Sequence, residues 1–339
     1  SFQRVCARYK KMKDRLRRLF SDIGTGKSKD MYEAIRENDC AYVLQQFFQD
    51  VDMHVVDERQ ETFLHKAAKY ESFEMFDLLM QLGLDVNAKN MYSETPFHLA
   101  VQFQHPEIVQ HLVFHDAKIN ALDSKCIAPL HLAASRGNEN ILHTLIQNGA
   151  KININDENGA KPIHYAVKSG KKEVIRFLLN SGASLIECDN RKNNVLHHAC
   201  LKGDDNLVAY ILRHMVVSDS KNIFGETPLH FAAVHCSVAT IKLLLQMGYD
   251  LEAKSITGLT PLDFAQNSYN YENLDYLRMY QRSPEYKEAV LDYPIHRSVR
   301  LNLLEYIKQT VRKNNADEKD YFGRTPLYYA INAQNIKIT

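Results

Sequence analysis

The stretch Thr95-Pro96-Phe97-His98-Leu99-Ala100 recurs as Ala128-Pro129-Leu130-His131-Leu132-Ala133, Lys161-Pro162-Ile163-His164-Tyr165-Ala166 and Thr227-Pro228-Leu229-His230-Phe231-Ala232. Counted at the Pro position, the register falls at 63, 96, 129, 162, 195, 228, 261 and 294, in steps of 33 residues, with Phe63 and Val195 in place of Pro. A further copy, Thr325-Pro326-Leu327-Tyr328, follows after 32. A fixed period of this length is the signature of a stacked array, because one short repeat cannot bury its own apolar face and must lean on its neighbours. The period also resolves the question of size. A single core stops growing near ~250–300 residues, and this chain has 339.

The repeat beginning at Asp123 shows how the residues assign its elements. Pro129 stands in the first turn of a helix, where a missing N–H costs nothing. Leu130, Leu132 and Ala133 are expected to face the stack. Gly137-Asn138 ends that helix, and residues 140–148 form a second one, with Ile141, Leu142, Leu145 and Ile146 buried. Gly149 takes a left-handed helix end, where lack of a Cβ removes the steric penalty. Residues 151–161 lead through a hairpin turned at Asn158-Gly159. Gly83, Gly182 and Gly248 share the helix-ending position with Asp116 and Met215. Met tolerates a left-handed conformation poorly, so distortion is expected around Met215.

The Thr-Pro-Leu-His anchor at this period resembles the ankyrin repeat, over roughly residues 57 to 267 and more weakly elsewhere. The resemblance implies an all-α solenoid of helix-turn-helix repeats with β-hairpin loops. Residues 30–56 read as a degenerate capping repeat, and the array is expected to run over 30–268. An irregular break is expected over 269–293, where Asp263 has just replaced the anchor His and five tyrosines crowd residues 269–290. Further, truncated repeats are expected over 294–339, as a separate or rotated stack. The chain begins at Ser1 and stops after one helix of its last repeat, so it is expected to be a fragment of a longer protein.

Residues 1–29 are expected to hold a basic amphipathic helix and a linker. Phe2, Val5, Tyr9, Met12, Leu16 and Leu19 make one stripe at helical spacing, opposite a face rich in Lys and Arg. This helix either packs on the first repeat or, as the less favoured reading, touches an acidic membrane surface. Gly24-Thr25-Gly26-Lys27-Ser28 lacks the first Gly and the preceding strand of a phosphate loop and reads as a solvated turn.

Several function classes are disfavoured. With 42 basic and 41 acidic residues there is no global pull toward nucleic acid. No ~18-residue apolar run offers a membrane span. Six cysteines without a CxxC pair read as reduced fillers of an intracellular, cytoplasmic protein. The histidine register is too widely spaced for a metal ladder, at about one helix diameter of ~10 Å per repeat; in the ankyrin family this His bonds neighbouring backbone and Thr groups. His111 and His115, an i, i+4 pair beside Asp116, lack an evident third ligand. No catalytic set, cofactor or metal is expected.

What remains is a binding surface. The resemblance places it on the hairpin tips and first helices, at positions the stack leaves free. Tyr70, Met91, Tyr92 and Phe103 form an expected aromatic zone. Lys125, Arg136, Lys168, Arg191, Lys192 and Lys202 form a basic zone, with Phe224 on a later tip. The expected function is a protein-interaction module, monomeric, whose concave groove holds a partner with an acidic segment. The alternative is a targeting or regulatory segment of a multidomain enzyme, or a host-directed bacterial effector working in the host cytosol.

Overall fold

The computed structural model describes residues 30–214 and 220–283. The expected N-terminal helix, the Gly24–Ser28 turn, Met215 and the anchors at Pro294 and Pro326 lie outside the described residues.

The described residues fold into eight helix pairs and no strands. In chain order the helices are α1 Met31–Arg36, α2 Cys40–Phe48, α3 Phe63–Lys69, α4 Phe73–Gln81, α5 Pro96–Gln102, α6 Pro106–Phe114, α7 Pro129–Arg136, α8 Glu139–Gln147, α9 Pro162–Ser169, α10 Lys172–Asn180, α11 Val195–Lys202, α12 Asp205–His214, α13 Pro228–His235, α14 Val238–Gln246, α15 Pro261–Asn267 and α16 Tyr271–Arg282. Two compact units divide between Glu157 and Asn158. In the first, the odd-numbered helices α1, α3, α5 and α7 stack in one layer, and α2, α4, α6 and α8 in another. In the second, α9, α11, α13 and α15 stack in turn, and α14 bridges α12 and α16.

The odd-numbered helices start where the anchor motif puts them, because the motif caps them. Thr95 takes extended backbone before Pro96. The Thr95 N–H donates to His98 Nδ1 at 3.2 Å, and Thr95 Oγ1 lies 2.9 Å from the same nitrogen. His98 Nε2 then reaches the Ile127 carbonyl of the next repeat at 3.1 Å. One imidazole thus satisfies a donor at a helix N-terminus and ties two repeats together. His65, His197 and His230 reach Glu94, Glu226 and Leu259 carbonyls in the same way. His164 departs from the pattern and bonds the Glu187 carbonyl, only 23 residues on, where Glu187 is also ion-paired to Lys161. Asp263 replaces the anchor His, and its carboxylate accepts from both the N–H and the hydroxyl of Thr260 at 2.8 Å. It performs the capping half of the task at a side-chain length too short for the other half.

The apolar residues between the layers are shielded from water. Leu130, Ile141, Leu142 and Leu145 are fully buried, as are Ile163, Val174, Ile175 and Leu178 at equivalent places. Leu132, expected to face the stack, is only half-buried. Asp116 holds the left-handed conformation expected at its helix end, with φ +59°.

Two expectations require correction. The loops are turns rather than β-hairpins: among the described residues the only strand-like pairing is a single bridge between Cys188 and Asn194. An Asp or Asn side chain instead closes the tips at Asp57, Asn90, Asp123, Asp189 and Asn222, and a hydroxyl, Ser255, closes the last. Asn90 Oδ1 accepts from the Tyr92 and Glu94 N–H groups, and Asp123 Oδ1 does the same for Lys125 and Ile127. Those N–H groups are spent locally, and no ladder forms from them. The second correction concerns residues 269–293. Over its described part this stretch is the regular helix α16, capped by Asn270 and packed on α15 and α14. Its buried Asn273 donates to the Ala233 and Cys236 carbonyls, at 3.0 and 2.9 Å. Leu274 and Leu277 are buried beside it, so the stack continues through two leucines and an amide.

Candidate partner-binding surface

Each tip passes one backbone hydrogen bond to the next. In the first unit Met91 N donates to Arg59 O at 2.9 Å, Ser124 N to Tyr92 O at 2.8 Å, and Glu157 N to Lys125 O at 3.0 Å. In the second, Asn190 N donates to Asn158 O, Ile223 N to Arg191 O and Ile256 N to Phe224 O, at 2.8–2.9 Å. The bonds fix the register of the tips, so side chains at equivalent positions form a row while their own polar backbone is satisfied.

All eleven residues singled out from the sequence are exposed. In the first unit Tyr70, Met91, Tyr92 and Phe103 are 40, 52, 47 and 41% exposed. Tyr70 and Phe103, one repeat apart at the ends of α3 and α5, share a cation: Lys69 Nζ lies 5.9 Å from one ring centroid and 5.5 Å from the other. Such contacts contribute about 0.5–1 kcal/mol at exposed sites and hold both rings in place. Lys125 and Arg136 are the exposed basic residues singled out on this unit. The second unit carries Lys168, Arg191, Lys192, Lys202 and Phe224. Lys202 is not free of the stack as expected: its Nζ donates to the Lys168 carbonyl in the last turn of α9 at 3.1 Å. That carbonyl lies at a helix C-terminus, where a cation is favoured.

Single-position registers missed part of the surface. In the column beside the tip positions, Ile223 and Ile256 of the second unit are 46 and 72% exposed. Both were visible in the sequence as apolar residues beside a turn. Of that column only Met91 was picked out from the sequence.

A family model described as ankyrin repeats matches the chain in three copies, over residues 31–123, 130–219 and 196–288. The chain belongs to the ankyrin-repeat family. Among solved structures, the human ASB11 ankyrin repeat domain is similar to it, with 26% identity and a TM-score of 0.60, over 66% of this chain and 100% of that one. No match is found among curated proteins.

Ankyrin repeats generally mediate protein–protein interaction. In this ankyrin array the anchor histidines are structural. Burial, opposed by the bond from each Nε2 to a carbonyl, pushes His65, His98 and His230 below the ordinary imidazole pKa. His164 and His197 fall to about 4, lowered also by the neighbouring His198. His111 Nε2 lies 3.1 Å from Asp77 Oδ1 without hydrogen-bonding geometry, and its ring packs on Phe73 and His115. Among the described residues no group of three His, Cys, Asp or Glu side chains could hold a metal ion. None of their helices is long and apolar enough to cross a membrane.

Proposed function

We propose that this ankyrin array is an interaction module. It binds a protein partner through the exposed side chains of its tips and odd-numbered helices, and conducts no chemistry of its own. The observation that carries this reading is the clustering of Tyr70, Met91, Tyr92 and Phe103, each between 40 and 52% exposed, on adjoining repeats of one unit. Isolated exposed apolar residues need no explanation, but several on one face mark a contact site. Tyr also ranks among the side chains that dominate interface energies. Lys125 and Arg136 beside these rings favour a partner with an acidic segment, whose approach they would steer.

The test is affinity capture from cytosol with the array as bait, followed by mass spectrometry. A Tyr92→Ala, Phe103→Ala double variant serves as the matched bait. A protein enriched by the parent chain and lost from the variant supports the reading. Capture that survives this change, and is abolished by changes on the opposite helices, refutes the site.

A further inference from the structure

Among the described residues, one register position changes its backbone in a single repeat. Asn38, Glu71, Gln104, Gly137, Gly170, Gly203 and Tyr269 recur every 33 residues at the ends of odd-numbered helices. All of them hold left-handed backbone, with φ between +57 and +86°, and none is buried. Cys236 stands at the same position after α13. Its backbone is instead extended, at φ −100° and ψ 168°, and only 5% of the residue is exposed. Its Sγ lies 3.5 Å from the carbonyl oxygen of Cys200 in the last turns of α11, and its thiol is hydrogen-bonded to the Cys200 thiol. Cys200 has no exposed surface. Asn273 Nδ2 donates to the Cys236 carbonyl at 2.9 Å and helps hold this backbone in place.

Neither packing nor hydrogen bonding calls for sulfur here. Ala68, Ala134 and Ala233 fill the position of Cys200 in other repeats. Other odd-numbered helices receive a stronger donor from the next repeat, also 36 residues on: His105 Nε2 donates to the Lys69 carbonyl and Asn270 Nδ2 to that of Val234. A thiol is a weak donor beside an imidazole or an amide. What two adjacent thiols add is the capacity to join. We propose that Cys200 and Cys236 form an oxidation site, a buried dithiol that a hydroperoxide converts to a disulfide tying α11 to the end of α13. The Cys236 sulfur, the accessible one of the two, attacks the peroxide O–O bond and becomes a sulfenic acid, releasing water or an alcohol. The Cys200 sulfur then attacks Cys236 Sγ, and the hydroxyl leaves as water with the Cys200 proton. Two thiols are oxidised by two electrons and one peroxide is reduced. Burial pushes the Cys200 thiol well above its ordinary pKa, so it does not start the reaction and acts only once a sulfenic acid lies beside it. The new bond closes a loop across two repeats and so constrains the unfolded chain.

The test treats the whole folded chain with hydrogen peroxide, blocks remaining thiols by alkylation and digests with trypsin for mass spectrometry. The expected product joins peptide 193–202 to peptide 222–242, lighter than their sum by two hydrogens, and is separated again by dithiothreitol. The melting temperature of the oxidised chain should rise by about 5 °C. Cys236→Ser keeps a hydroxyl donor for the Cys200 carbonyl and should fold, form no cross-link and show no rise. Cys200→Ala takes the residue that Ala68, Ala134 and Ala233 carry at equivalent places. In that variant the Cys236 sulfenic acid has no partner thiol and should be trapped by dimedone, which should label the parent chain far less. Absence of the 200–236 cross-link under native conditions overturns the proposal. So does its appearance only in urea, or pairing of Cys236 with Cys40, Cys126 or Cys188 to the same extent. Dimedone labelling of Cys236 no stronger in Cys200→Ala than in the parent also overturns it.

Discussion

His98 Nε2 meets the carbonyl of Ile127, 29 residues further along, at 3.1 Å, while Nδ1 of the same ring accepts the Thr95 N–H. The neutral ring with its proton on Nε2 suits both partners. A second proton on Nδ1 would set two donors face to face, in a ring with no exposed surface. The folded pKa values of His65, His98, His164, His197 and His230 are all depressed, to about 4 at His164 and His197. The unfolded chain therefore binds more protons than the folded one between pH ~4 and ~6.5. The stability contributed by neutral rings is complete above ~6.5 and is lost as pH falls through that window. Urea midpoints measured from pH 7.5 to 4.5 should fall progressively below 6.5. A midpoint that stays level across this range contradicts the account.

The tips contain a second testable cost. Gln60, Ser93, Cys126 and Lys192 hold left-handed backbone at φ +57 to +59°, the position that Gly159, Gly225 and Gly258 occupy elsewhere. An L side chain costs about 1–2 kcal/mol there. Glycine removes that cost but loses about 0.5–1 kcal/mol to its freer unfolded state. Cys126→Gly and Gln60→Gly should each therefore stabilise by about 0.5–1 kcal/mol in urea titrations. Gly159→Ala should do the opposite, because its Cβ would meet Asn190 Oδ1 at 2.3 Å and the Asn190 backbone nitrogen at 2.9 Å.

Much of this was legible in the sequence because the ankyrin anchor is local. Thr95, Pro96 and His98 cap the helix they begin, so spacing alone located α3, α5, α7, α9, α11, α13 and α15. The helix over 271–282 was less legible, because a buried amide, Asn273, shares its packed face with Leu274 and Leu277. The tips misled for a related reason: Asn158-Gly159 read as the turn of a hairpin, yet at equivalent tips the Asn90 and Asp123 side chains take the N–H groups a strand pair would have used. Lys202 looked like a free surface cation, since nothing in the sequence announces its bond to the Lys168 carbonyl 34 residues earlier.

That bond separates Lys202 from the other basic residues. Lys202→Glu replaces a donor with an acid at a helix C-terminus and should cost about 1 kcal/mol of stability. Lys192→Glu, at an exposed tip, should stay within about 0.5 kcal/mol of the parent. Equal stability losses for the two variants would remove the distinction.

The last expectation separates binding from folding. Tyr92 and Phe103 are nearly half exposed, whereas Leu130 and Leu145 are fully buried. Truncating Tyr92 and Phe103 to Ala should cost roughly 2–4 kcal/mol of partner affinity together, chiefly through faster dissociation. The melting temperature should barely move. Lys125→Glu with Arg136→Glu should slow association and flatten its salt dependence, because steering and not the contact itself is lost. Leu130→Ala and Leu145→Ala should each cost about 2–5 kcal/mol of stability, the sum of lost transfer energy and a cavity between layers. Surface plasmon resonance against the captured partner, read beside urea denaturation of the same proteins, checks both halves. A stability loss from the Tyr92 and Phe103 pair matching that from either leucine would mean that the rings belong to the stack and that the binding surface lies elsewhere.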